Sequence, residues 1–252
     1  MTTGTGLIAS ARRLFVSAML AVFMPTGIVL GDEPDRFSAL LSFSSNYFYR
    51  GYSKSANTPT VRANADYQYG VGDHTVYGGV WISRIDFDDR NYPDHADAEI
   101  YPYLGANLKL ADDWRIDAAV SRYIFAGDIF GRYSDYNEYS LQAHFADLIS
   151  VRFAAADDLY HRGQPAFDYE LTGRYPLTET LEASAGLGYY AARPVLEYDS
   201  LYWNAGITWF FGYGSVDLRY VDYTHVSDSH DPNSLVLPYV DPKFVGSISV
   251  GF

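Results

Sequence analysis

The stretch Phe167-Asp168-Tyr169-Glu170-Leu171-Thr172-Gly173-Arg174-Tyr175 puts an apolar or small residue at every odd number and a charged or polar one at every even number. A β-strand projects successive side chains to opposite faces, so this stretch has one greasy face and one charged face. Val61, Ala63, Ala65, Tyr67 and Tyr69 repeat the pattern against Arg62, Asn64, Asp66 and Gln68. Leu181, Ala183, Ala185, Leu187 and Tyr189 repeat it against Glu182, Ser184, Gly186 and Gly188, and Leu201 to Phe211 does so again. No segment sustains the period of an amphipathic helix.

Runs of this kind predict twelve strands. They lie near Phe37–Arg50, Thr60–Tyr69, Thr75–Ile85, Ala98–Leu110, Trp114–Phe125 and Tyr133–Ala146, then Ile149–Ala156, Ala166–Tyr175, Leu181–Ala191, Ser200–Phe211, Ser215–His225 and Lys243–Phe252. The connections between them alternate short and long. Gly70–His74, Ala111–Asp113, Asp147–Leu148, Pro176–Thr180 and Gly212–Gly214 are short; Gly51–Pro59, Asp86–Asp97, Ala126–Arg132, Asp157–Pro165, Ala192–Asp199 and Val226–Pro242 are long. A transmembrane barrel has this asymmetry, with tight periplasmic turns and larger outside loops, whereas a Greek-key sandwich has no reason for it. The expected fold is an all-β, twelve-stranded antiparallel transmembrane β-barrel with short periplasmic turns and longer extracellular loops.

Composition narrows the partners. The 252 residues carry 48% hydrophobic and 17% aromatic side chains, and Asp+Glu 31 against Lys+Arg 18 gives a net charge of −13. Such a surface disfavours nucleic acid, which needs a basic face. The chain has no cysteine, which removes disulfides, thiolate metal sites and a lipoprotein anchor. Arg12 and Arg13 followed by the apolar run Leu14 to Met24, broken at Pro25 and Gly27, read as a secretory signal over residues 1–31, leaving 32–252 as the barrel. Alternation alone does not separate a membrane barrel from a soluble one. Aromatics near predicted strand ends (Tyr47, Tyr49, Tyr67, Tyr69, Tyr189, Tyr190, Trp209, Phe210) suit an interfacial girdle. Ile248, Val250 and Phe252, alternating to the last residue, suit the C-terminal signal that the barrel-assembly machinery of the outer membrane reads.

Asn46-Tyr47-Phe48-Tyr49-Arg50-Gly51-Tyr52-Ser53-Lys54-Ser55 resembles the opening motif "SdYrfRGiSqs" of the TorF family of porin-like outer-membrane barrels. Tyr77-Gly78-Gly79-Val80-Trp81-Ile82-Ser83 resembles that family's "yaGvwaS" strand, and Tyr136-Asn137-Glu138-Tyr139 its "nYgE" segment. Asp157-Asp158 falls where the family has a turn ending in Asp. Ser53-Lys54-Ser55-Ala56 departs from the usual "SqsD" and makes this loop less acidic. The resemblance implies an outer-membrane barrel and brings no catalytic residues.

With the greasy face toward lipid, the lumen-lining candidates are Arg50, Arg62, Asp66, Glu99, Arg115, Asp117, Glu138, His144, Arg152, Asp168, Glu170, Arg174, Glu182, Asp217 and Arg219. Both signs interleave, which suits either a narrow charged channel or a plugged interior of mutually satisfied pairs. The acidic loop offers Asp86, Asp88 and Asp89 as weak metal ligands, short of a recognised calcium loop, so no metal is expected. No cofactor is expected either. The six histidines show no triad or metal spacing, and His144 reads as a lining residue, so the protein is not expected to be an enzyme. The reading is an outer-membrane channel for passive diffusion of small polar solutes or ions, giving small, cation-favouring conductance steps. The alternative is a structural or surface-binding barrel with a closed lumen, its loops against lipopolysaccharide; a lipid hydrolase is a distant third.

Overall fold

The computed structural model describes residues 35–228, 235, 237–238 and 242–252. The predicted signal segment 1–31, His230 and most of the last long connection lie outside the described residues. Alternation produces strands along almost the whole described chain: β1 (Asp35–Ser44), the two-residue β2 (Phe48–Tyr49) and β3 (Tyr52–Ser53), β4 (Thr60–Val71), β5 (His74–Arg84), β6 (Ala98–Lys109) and β7 (Trp114–Phe125). There follow β8 (Tyr136–Phe145), β9 (Ile149–Ala156), β10 (Ala166–Pro176), β11 (Leu181–Ala191), β12 (Tyr198–Phe211), β13 (Gly214–Asp228) and β14 (Lys243–Gly251). A one-turn helix α1 (Arg193–Leu196) sits between β11 and β12.

All strands except β2 and β3 pair antiparallel with both neighbours and close into one twelve-stranded barrel, β1 sealing against β4 on one side and β14 on the other. Closure satisfies every strand edge, the condition for crossing lipid with strands. The faces sort as the alternation predicts. Leu171, Val151, Leu218, Leu104 and Ile207 are exposed on the outside, while Asp168, Glu170, Arg152, Asp217 and Arg219 are buried inside.

An inward side chain of this size needs a flat place to lie. Tyr202 of β12 lies across Gly188 of β11, where an added Cβ would meet its ring at 2.1 Å. Glycine at the inner position of one strand thus seats a large side chain from the next, and the lumen wall keeps its closed register.

The predicted first strand is corrected. β1 stops at Ser44, and Arg50 is not on the wall. Residues 45–59 instead dip back, and Phe48–Tyr49 pairs with Tyr52–Ser53 as a small hairpin. Its tip is Arg50-Gly51, with φ of 48° and 96°. Positive φ at both central residues matches the right-handed twist of the flanking strands, and glycine takes it without strain. The predicted girdle is corrected in part for the same reason. Tyr47, Tyr49 and Tyr190 are buried inside the barrel, whereas Tyr67, Tyr69 and Trp209 face outward.

Candidate functional site

The hairpin crosses the lumen at the end of the barrel where the longer connections lie. Arg50 at its tip is 1% exposed. Its Nη1 and Nη2 donate to Glu138 Oε2 and Oε1 of β8 at 2.6 and 2.9 Å, and its Nε lies 3.2 Å from Asp168 Oδ2 of β10. Arg152 of β9 donates to the same two carboxylates, at 2.9 Å to Asp168 and 3.0 Å to Glu138. Tyr202 Oη donates toward Asp168 Oδ1 at 2.8 Å and Glu170 Oε2 at 3.1 Å. From β12, Ser200 Oγ donates to the Arg50 carbonyl at 2.8 Å. One loop tip is therefore tied to three strands of the wall.

The base of the hairpin is tied to a fourth. Lys54 is ion-paired with Glu99 of β6, and Tyr47 Oη donates to the same carboxylate at 3.0 Å. Lys54 Nζ also sits 3.9 Å from the centre of the Tyr49 ring and 4.9 Å from that of Tyr123, a cation over aromatic faces. Burial pulls the Lys54 ammonium below its ordinary pKa, and Glu99 opposes that pull. Behind it runs a ladder of rings on adjacent strands: Trp81, Tyr101, Tyr123 and Tyr136 stack in sequence on β5 to β8 with centroid spacings of 6.2, 4.9 and 4.6 Å. The Tyr52 and Tyr160 hydroxyls meet at 2.7 Å. Above the hairpin, Pro238 accepts from the Ser53 amide and Leu235 docks on Val195 of α1.

Below the hairpin the inner face is polar and, in places, half-exposed. Arg62 donates to Tyr101 Oη at 3.1 Å, Asp66 takes Ser38, and Asp117 accepts from Tyr77 Oη at 2.7 Å. Toward the short turns, Arg115 pairs with the Asp147 carboxylate and Arg174 donates to the Asp147 carbonyl. His144 Nδ1 lies 2.9 Å from Ser150 Oγ, a cross-strand contact that sequence spacing did not reveal. Asp217 accepts from Thr208 at 2.8 Å and from Arg219 at 3.1 Å, and Glu182 is buried on β11. These pairs join adjacent strands or skip one along the wall, as Arg62 of β4 does to Tyr101 of β6 and Tyr77 of β5 to Asp117 of β7.

Ile248, Val250 and Phe252 face outward at the seam. Val250 and Ile248 pair in register with Leu41 and Phe43 of β1, and Phe252 exchanges two backbone hydrogen bonds with Ala39. In the acidic loop, Asp86 accepts from the Asp88 amide and pairs with Arg90, and Asp89 accepts from the Phe130 amide at 2.8 Å; Asp88 is exposed. Those carboxylates hold the loop. Among the described residues no group of His, Asp and Glu side chains is placed to hold a metal ion.

Residues 30–252 match a family described as "Bacterial protein of unknown function (Gcw_chp)". The chain belongs to the Gcw_chp family. No curated protein matches it. Among solved structures, this Gcw_chp chain is similar to one from a study of in-meso crystallization of membrane proteins, with a TM-score of 0.54 at 10% identity over 86% of this chain and 83% of the other. The KdgM porin aligns with a TM-score of 0.48 at 9% identity over 85% of this chain and 98% of the porin. A Pseudomonas aeruginosa FadL homologue gives 0.48 at 12% identity, over 87% and 90%. The likeness is one of fold.

Proposed function

We propose that this protein is a porin-like channel of the bacterial outer membrane for small polar solutes or ions, held shut at rest by its own first loop. The observation that carries the reading is that the obstruction is a separable hairpin and not the wall itself. Twelve strands enclose more space than their own side chains fill, and here a whole hairpin occupies it. The wall is complete without that segment, because Ser44 pairs directly with Thr60 across the base of the loop. The short turns would face the periplasm and the hairpin end the exterior. The Asn46–Ser55 segment, which resembles the opening motif of the TorF family, is then the plug.

Magnitudes set the resting state. Burying Tyr47, Phe48, Tyr49 and Tyr52 stabilises the docked hairpin by about 2 kcal/mol per side chain, on the order of 8 kcal/mol together. At about 1.4 kcal/mol per factor of ten, spontaneous opening is rarer than about one part in 10⁵. In planar bilayers the full-length barrel is therefore expected to be almost silent, below the steps that the charged lumen alone suggests. Replacing residues 46–56 with a short Gly/Ser link is expected to give discrete conductance steps. A deletion barrel that folds, judged by its heat-dependent gel migration, yet stays silent would overturn the channel. It would favour instead a closed, surface-binding barrel, which the bond from the Ser53 amide of the hairpin to the Pro238 carbonyl also suits.

A further inference from the structure

The wall around the hairpin carries an excess of negative charge. Glu99, Glu138, Asp168 and Glu170 point inward at this level, against the wall cations Arg62 and Arg152. Balance is reached only when the hairpin adds Arg50 and Lys54. The seats of those two cations have the features of ligand sites. The guanidinium of Arg50 is held by two parallel bonds to one carboxylate and a third contact to another, and it lies over the Tyr190 ring at 5.1 Å. The Lys54 ammonium sits between a buried carboxylate and the Tyr123 face. Bidentate carboxylate and aromatic faces are the groups that recognise guanidinium and alkylammonium ions.

We propose that the inner wall at this level is a binding site for organic cations, guanidinium or amine in type, which Arg50 and Lys54 occupy as built-in ligands while the hairpin is docked. A cationic solute competes for the same carboxylates, so binding it and displacing the plug are one exchange. The site is more than a cluster of acids, because a guanidinium and an ammonium from a different segment are already seated in it. The inference names the solute class of the channel proposed above and rests on that reading for passage, though not for binding.

The test uses the full-length Arg50→Ala/Lys54→Ala variant, which vacates both seats, titrated with argininamide by calorimetry. Binding at least tenfold tighter than to the unaltered protein is expected, with loss of that gain on adding Glu138→Gln and Asp168→Asn. Should the double variant not fold, the barrel lacking residues 46–56 takes the same titration. That deletion barrel is also expected to favour K⁺ over Cl⁻ at least fivefold, by reversal potential in a KCl gradient, and to lose the preference with the same two neutralised carboxylates. Equal, weak argininamide binding to all variants, or an open pore without cation preference, overturns the site and leaves the channel standing. A silent deletion barrel that still binds argininamide overturns the channel and supports the site.

Discussion

Arg50→Ala is expected to raise the frequency of channel openings by between two and nearly four orders of magnitude. Truncation removes the guanidinium from Glu138 and Asp168 and leaves Arg152 as the cation that both buried carboxylates share, with the Tyr202 hydroxyl still on Asp168. Breaking a buried ion pair by removing one partner costs about 3–5 kcal/mol, mostly because the charge left behind is uncompensated. That cost falls on the docked hairpin, since an undocked one lets water reach the acids. Barrel strands do not depend on Arg50, so the variant folds and the effect appears in gating. Neutralising the stranded charge with Arg50→Ala/Glu138→Gln is expected to recover part of the loss. Single-channel recording checks both, and an opening frequency in Arg50→Ala within a few-fold of the unaltered protein would show that the aromatic contacts alone hold the hairpin.

The second large effect tests the faces. Leu171 sits near the middle of β10 with its side chain 49% exposed on the outside, while Thr172 points into the lumen. A cation placed on the lipid face at mid-depth costs about 2–4 kcal/mol, and one in a polar lumen costs far less. Leu171→Arg is expected to lose about that much folding stability in phospholipid vesicles, measured by equilibrium denaturant titration, with Thr172→Arg losing under half as much. The reverse order would place the charged face against lipid and dismantle the account.

The wall was legible because its signal is local. Glu170 and Leu171 differ by one position, and a period of two assigns them to opposite faces without any knowledge of neighbours. The same period misled at residues 45–50, where Tyr47, Tyr49 and Arg50 continue the alternation of β1 after the strand has ended. What turns the chain back into the lumen is the Arg50-Gly51 turn, a weaker hairpin signal than Asn-Gly or Asp-Gly. The plug itself was not legible. Arg50 meets Glu138 and Asp168 from far along the chain, and no spacing rule reports such a meeting. Tyrosine adds its own ambiguity, since an amphipathic ring suits both a membrane interface and a polar lumen; Tyr49 and Tyr190 took the second course. Parity could have resolved the ring ladder. Tyr101 shares a face with Glu99, Tyr123 with Ser121, and Tyr136 with Glu138, so each belonged with the inward set.

The central claim is that residues 46–55 lie inside the barrel, and the absence of cysteine makes a direct measurement clean. Ser53→Cys and Asp88→Cys are each made in the otherwise unaltered chain, Ser53 being buried in the hairpin and Asp88 exposed in an outer loop. Both are labelled with a membrane-impermeant maleimide added outside the outer membrane. The account predicts that cysteine at 53 reacts at least a hundredfold more slowly than cysteine at 88, and that adding Arg50→Ala narrows the gap. Equal rates at the two positions in the unaltered background would mean that the hairpin stands in solvent and the lumen is not closed by it.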